Sequence, residues 1–260
     1  MLLTLTTSSL QHYKRAKKPL AISDIPDFVA EELELRGLNL TASDLKGMAA
    51  TDLEKLRDRA DRARCPILVL VEEKPLDFAG EGALEATLER IFKLGLAASK
   101  LGCPNLAIRA TNVTEQTMER AAANIKRALS KLDRHEVHLL LRPGDQLTAD
   151  PLRLSELIKR IGGFRIGSLP SFAAAASTGD PEAALRKLAP YAQAVEATVQ
   201  SFTKTGKHDA WSLEKCLEAI RGVGYQNTVC IDYVGRADPV AAITRARDLL
   251  GEVIAAGDPA

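Results

Sequence analysis

The chain has 260 residues, the usual size, roughly 250, of a single α/β barrel. Its formal net charge of +1 supplies no global field to draw it onto nucleic acid or an anionic membrane, and no apolar run approaches the roughly 20 residues of a transmembrane helix. The start, MLLTLTTSSLQ, lacks the basic region and hydrophobic length of an export signal. Cys65, Cys103, Cys216 and Cys230 stand singly, without CxxC or Cys/His ligand spacing; such thiols pack as small hydrophobes and suit a reducing compartment. A cytoplasmic protein is expected, without nucleic-acid or membrane partners, and a homo-oligomer is left open.

Strand candidates follow one another at residues 2–8, 37–40, 67–71, 105–110, 137–141, 164–169, 194–199 and 228–233. Their spacing, roughly thirty residues, is the length of a βα unit. The basic run 12–18 (HYKRAKK) reads as a solvated loop before a helix that begins near Ile25. Leu84, Leu88, Ile91, Gly95 and Ala98 line one helix face; Leu154, Leu157, Ile158 and Ile161 line another, and Leu213, Cys216, Leu217 and Ile220 a third. Asp150-Pro151, Asp180-Pro181 and Asp238-Pro239 each open a helix, with Asp at the N-cap and Pro at the first helical position. Gly37, Gly102, Gly162-Gly163 and Gly222/Gly224 read as left-handed helix C-caps. The Ala-rich run 173–177 reads as a loop after the sixth strand, and 255–260 as a frayed tail. Strands alternating with helices imply a parallel sheet, which eight units close most simply into a (β/α)8 barrel over 1–260. An open doubly wound sheet would want a Gly-rich phosphate loop after an early strand, and the chain has none.

In a barrel the strand C-termini build the active site. The groups placed there are Glu72, Glu73, Arg109, Arg142, Ser171, Glu196 and Asp232, with Lys204 and His208 in the next loop. Glu196 and Asp232 come from neighbouring strands; such a pair can share a divalent metal, share a proton, or be neutralised by an arginine. Arg142 ends the apolar strand VHLLLR, and a buried guanidinium needs a carboxylate or an anionic ligand. His138, on the same face, reads as a core histidine, and His135, before the strand, as solvated. Trp211 reads as packing at a helix start or as the rim of a pocket.

Taken together, VHLLLRPGDQLTADP, IGSLPSF, GDPEAALRKLAPY, VEATV, Gly224-Tyr225, VCIDYVG and Asp238-Pro239 resemble, in order and spacing, the xylose-isomerase-like sugar phosphate isomerase/epimerase barrels. These share a fold with the apurinic-site endonucleases, and the likeness is best from Val137 to Leu250. The resemblance implies a TIM barrel whose divalent cation is held by a Glu ending the fifth strand, an Asp after the sixth, a His or Gln on the seventh and a Glu on the eighth. At those positions this chain carries Arg142, Ser171, Glu196 and Asp232. The family's LPDFGN-like turn is LPSFAA here, with Ser171 and Ala174 in place of Asp and Asn, and its seventh-strand lysine is Thr198.

An arginine cannot ligate a cation and repels one at short range in a poorly screened site. The expectation is therefore a degenerate metal site with no cofactor, in which Arg142 forms an internal salt bridge with Glu196 and Asp232. The function expected is that of a diverged barrel binding a small sugar-like or anionic ligand (a sugar, sugar acid or sugar phosphate) without metal-dependent catalysis. Arg109, Ser171, Lys204, His208 and Trp211 are the ligand-binding candidates. The alternative is an active isomerase or epimerase with Glu196 or Asp232 as the base and Arg142 as the electrophile. A DNA-repair endonuclease comes last, because the chain is neither basic nor aromatic-rich.

Overall fold

The computed structural model describes residues 1–15, 18–80 and 82–256. Eight strands, β1 (Leu2–Thr6), β2 (Leu38–Thr41), β3 (Ile67–Val71), β4 (Asn105–Ile108), β5 (His138–Leu141), β6 (Ile166–Ser168), β7 (Ala194–Val199) and β8 (Thr228–Tyr233), belong to one sheet. All pair in parallel, in the order β6-β5-β4-β3-β2-β1-β8-β7. That order is cyclic, with one seam between β6 and β7. Parallel bridges from Ser168 to Ala192 and from Ser171 to Glu196 cross the seam, and the Glu196 N–H donates to the Pro170 carbonyl at 2.9 Å. The sheet is a (β/α)8 TIM barrel, as the repeat length implies.

The helices are α1 (Ile25–Glu31), α2 (Ala50–Arg62), α3 (Leu84–Lys100), α4 (Met118–Leu132), α5 (Pro151–Ile161), α6 (Phe172–Ala176), α7 (Pro181–Leu188), α8 (Leu213–Arg221) and α9 (Pro239–Ala255). Asp150, Asp180 and Asp238 cap α5, α7 and α9, Asp150 accepting two backbone N–H groups of the first turn and the other two one each. Three readings need correction. The Ala-rich run forms the short helix α6 rather than a loop, because Ser171 Oγ accepts the Ala174 N–H and gives it an N-cap. Gly37 and Gly222 lack the positive φ that Gly102, Gly162, Gly163 and Gly224 adopt. At Gly37 the constraint is space instead: a Cβ there would lie 2.9 Å from both Thr4 Cγ2 and Leu68 Cδ1. Within the basic segment, Lys14–Arg15 pairs with Lys18–Pro19 as a short antiparallel ribbon, which replaces the expected loop; residues 16 and 17 lie outside the described residues. So do 257–260, most of the expected tail; α9 itself continues to Ala255.

Strand alternation sorts side chains into two layers. Outward residues such as Leu38, Leu40, Leu139, Leu141, Val195 and Ile231 pack under the helices. Val69, Val71, Ala107, Leu140, Leu169 and Ala194 form a separate cluster inside the barrel. The β1–β2–β8 side of the interior is polar: Thr4, Thr6, Asn39 and Thr41 are buried, and Thr6 Oγ1 lies 3.0 Å from Cys230 Sγ. Among the described residues no helix is long and apolar enough to cross a membrane.

The seam is close-packed at Gly167, where a Cβ would fall 2.6 Å from the Tyr191 carbonyl oxygen and 3.2 Å from Leu140 Cδ2. Gly167→Ala is expected to cost about 1–3 kcal/mol through overpacking. Gly251, inside α9 with nothing within 4 Å of a Cβ, is the control: Gly251→Ala should gain up to about 1 kcal/mol of helix propensity. Urea unfolding of both variants checks the pair, and equal stabilities would mean that the seam has slack.

Candidate functional site at the barrel mouth

β7 and β8 run in register, with Glu196 opposite Cys230 and Thr198 opposite Asp232. This places both acids on the inner face near the strand ends, as alternation requires. Arg142 follows β5, its N–H tied to the Ile108 carbonyl at 2.8 Å. Its Nη2 donates to both oxygens of Glu196, at 2.8 Å to Oε2 and 3.2 Å to Oε1. The Glu196 side chain is 2% exposed and that of Arg142 21%. The ion pair spans from β5 to β7 across the short strand β6.

Asp232 is not part of that pair. Among the described residues no guanidinium nitrogen forms an ion pair with it within 4.0 Å, which corrects the expected bridge to both acids: Arg142 reaches Glu196 alone. The contact Asp232 does make is a long one, 3.5 Å from Ser8 Oγ to Oδ1. Burial, and then the Glu196 charge, push the Asp232 carboxyl up to about 7, against the opposing pulls of Arg142 and Ser8. For Arg142, burial works against the charged form. The Glu196 charge, its hydrogen bond, Asp232 and then Cys230 outweigh it and hold the guanidinium above its ordinary value.

The other expected site residues divide by their partners. Ser171 adjoins Glu196 across the seam, but its oxygen caps α6. Arg109 Nη2 donates to the Glu73 carbonyl at 2.6 Å, while its Nε is enclosed without a protein partner. Glu72 and Glu73 do not join the mouth cluster. Glu72 accepts from Arg90 Nε of α3 at 2.5 Å, and Glu73 binds Ser43 through both its N–H and its hydroxyl. His208 is a brace in the β7–α8 loop. Its Nε2 accepts the Gln200 N–H at 3.0 Å, and its Nδ1 lies 3.0 Å from the Trp211 carbonyl oxygen and 3.2 Å from the Trp211 nitrogen. Burial lowers its pKa, so the ring stays neutral. Trp211 packs on that ring with centroids 4.6 Å apart, and Phe202 meets it edge-on. Lys204 is exposed and has no ion-pair partner among the described residues. His138 is half-buried, its pKa lowered by burial and Arg165. His135 is half-buried against Phe92 rather than solvated.

Two residues escaped the sequence reading: Ser8, which touches Asp232, and Asn39, fully buried with neither amide atom paired within the protein. Their signal is the alternation in LTLTTSS and LNLT, where polar groups occupy every second position of an apolar strand.

The donor set does not suit a divalent cation. Among the described residues no group of three or more His, Cys, Asp or Glu side chains converges on a point. Both oxygens of Glu196 face a guanidinium nitrogen, where hard divalent cations require about six oxygen ligands.

No protein-family model and no curated protein sequence matches the chain. Solved structures do. An L-ribulose 3-epimerase superposes with a TM-score of 0.80 at 13% identity, over 98% of this chain and 95% of that one. The probable 3-DHS dehydratase AsbF of Bacillus anthracis gives 0.75 at 15% identity, over 96% and 99% of the two chains. A xylose isomerase domain protein of Planctomyces limnophilus gives 0.67 at 17% identity, over 87% and 90%. At these identities the likeness is one of fold: the chain is built as a TIM barrel.

Proposed function

We propose that the barrel mouth binds a small sugar-like or anionic ligand without a divalent metal, the Arg142 guanidinium supplying the fixed positive charge at the strand ends. The observation that carries this reading is the placement of Arg142 Nη2 on both oxygens of a carboxylate that is 2% exposed. A cation entering there would have to displace a permanent charge that already neutralises Glu196. A sugar-like ligand is taken over from the L-ribulose 3-epimerase of the same fold as part of the proposal. A cytoplasmic setting without nucleic-acid or membrane partners goes with it. The four cysteines are free and buried, and burial pushes Cys65, Cys103 and Cys216 up to about 12, which makes them poor nucleophiles.

One observation favours a second reading, an active isomerase or epimerase. Enediol chemistry needs a base whose pKa lies near the working pH and a fixed charge to hold the oxyanion. Asp232, pushed up to about 7, meets the first need, and Arg142 is positioned for the second. Glu196, with both oxygens on Arg142, is the worse base, so this reading assigns the proton transfer to Asp232.

Metal content separates these readings from a metal-dependent enzyme. Protein expressed with manganese, zinc and magnesium supplied is expected to carry far less than one metal per chain by elemental mass spectrometry. Stoichiometric metal that disappears in Glu196→Gln would overturn the proposal.

Removing the guanidinium should expose how buried the pair is. Arg142→Met leaves Glu196 enclosed and unpaired, a loss of about 3–5 kcal/mol. The double variant Arg142→Met/Glu196→Leu should recover most of it. An Arg142→Met protein that unfolds at the parental urea concentration would show Glu196 to be solvated.

Asp232 sets a pH dependence. Its folded pKa of about 7 lies above the ordinary 3.8, so the folded state holds the proton through that window. Stability from this group is fullest below pH 4 and falls as pH rises toward 7, by about 2 kcal/mol once partial solvent exposure is allowed for, then levels. Asp232→Asn should abolish that component. Identical pH profiles for the two proteins would mean that Asp232 is ionised throughout and unfit for proton transfer.

A further inference from the structure

We propose that His208 is an acid-sensitive latch: its protonation releases the hairpin 201–209, between β7 and α8, from the barrel. The device is independent of what the mouth binds.

The hairpin holds itself together through its backbone. Phe202 and His208 form an antiparallel bridge. The Thr203 N–H donates to the Lys207 carbonyl at 2.8 Å, and the Asp209 N–H to the Ser201 carbonyl at 3.1 Å. Residues 203–205, Lys207 and Asp209 are exposed, whereas His208 is only 7% exposed. Three side chains tie this hairpin to the barrel. Phe202 packs against the core, Arg245 Nε of α9 donates to the Gly206 carbonyl at 3.1 Å, and His208 is enclosed between Phe202 and Trp211. A phenyl ring does not titrate and a guanidinium keeps its charge. His208 is therefore the tie that pH can reach.

The latch works through one lone pair. The Gln200 N–H, just past the end of β7, donates to His208 Nε2 at 3.0 Å, so that nitrogen carries no proton. A proton added there sets N–H against N–H and the bond is lost. The charged ring would also have to stay in a site that water barely reaches. The charges that face it are Asp209 of the hairpin and Glu214 of α8, and neither forms an ion pair with it among the described residues. Burial disfavours the imidazolium; the Trp211 backbone, Asp209 and Glu214 pull the other way and lose, so the enclosed ring protonates below its ordinary 6.5. A released ring titrates at the ordinary value. Below 6.5 the released hairpin therefore takes up a proton that the latched one refuses, and its population grows about tenfold per pH unit.

Trp211 is the only tryptophan, its Nε1 is enclosed, and its ring lies on His208, so its fluorescence reports the latch. Emission of the intact protein, followed from about pH 7.5 to about pH 5, should move to longer wavelength as the indole meets water. Hydrogen exchange, corrected for its intrinsic pH dependence, should show the Thr203, Asp209 and Trp211 amides losing protection about tenfold per pH unit. The amides of β7 and β8 should keep theirs. His208→Gln, with no proton to gain, should be flat in both measurements, and Asp232→Asn should retain the transition, which separates it from the acid of the mouth. A flat parental response, or a transition that survives in His208→Gln, would overturn the proposal. So would a wavelength shift with hairpin protection intact, since the ring would then protonate in place, and so would a loss of protection shared by β7 and β8, which is unfolding of the barrel.

Discussion

A carboxylate enclosed in a barrel has to be neutralised where it sits, and in this chain a single guanidinium nitrogen does so for Glu196. The pair does more than balance charge. β6 is short and joined to β7 through isolated bridges and the Glu196 N–H, so this is the weakest interval of the sheet. The Arg142–Glu196 contact reaches across it from β5 to β7. Strand order, seam packing at Gly167 and the charge pattern of the mouth therefore depend on one another. A substitution that frees Glu196 loosens the closure of the barrel and alters its electrostatics together.

The same pair governs Asp232. The guanidinium sits on Glu196 through Nη2 and, among the described residues, forms no ion pair with the second acid. Asp232 then feels burial and a neighbouring negative charge with only distant compensation, and its proton is held to about pH 7. The asymmetry of the ion pair puts two similar carboxylates in different settings, Glu196 on the guanidinium and Asp232 apart from it with its carboxyl pushed up to about 7.

Much of the architecture was legible because it is written in short-range signals. Asp-Pro pairs at 150, 180 and 238 mark helix starts through a mechanism confined to one turn, and the apolar spacing in α5 and α8 marks one buried face each. α6 leaves no helical signal in the sequence, because five residues of alanine-rich chain carry no amphipathic period. The mouth was legible as a set of residue types but not as a set of contacts. Glu72 and Glu73 follow one another, so alternation sends them to opposite faces. With Val69 and Val71 inside the barrel, the alternation sends Glu72 outward, where it meets Arg90. His208 looked like a free ligand because its partners, the backbone of Gln200 and Trp211, have no side-chain signature.

The barrel interior divides into two sides. Toward β3–β7 it is filled by Val69, Val71, Ala107, Leu140, Leu169 and Ala194, which supply packing and nothing else. Toward β1, β2 and β8 it carries Thr4, Thr6, Asn39 and Cys230, and Asn39 has no hydrogen-bond partner within the protein. An enclosed amide that the protein does not pair costs about 1–3 kcal/mol unless water or a ligand pairs it. Apolar residues there, as on the opposite side, would stabilise the barrel more. The polar side is also the one that leads to Ser8 and Asp232. The interior thus assigns packing to one half and buried polar groups to the other, where Thr6 and Cys230 pair with each other while Thr4 Oγ1 and the Asn39 amide have no partner among the described residues.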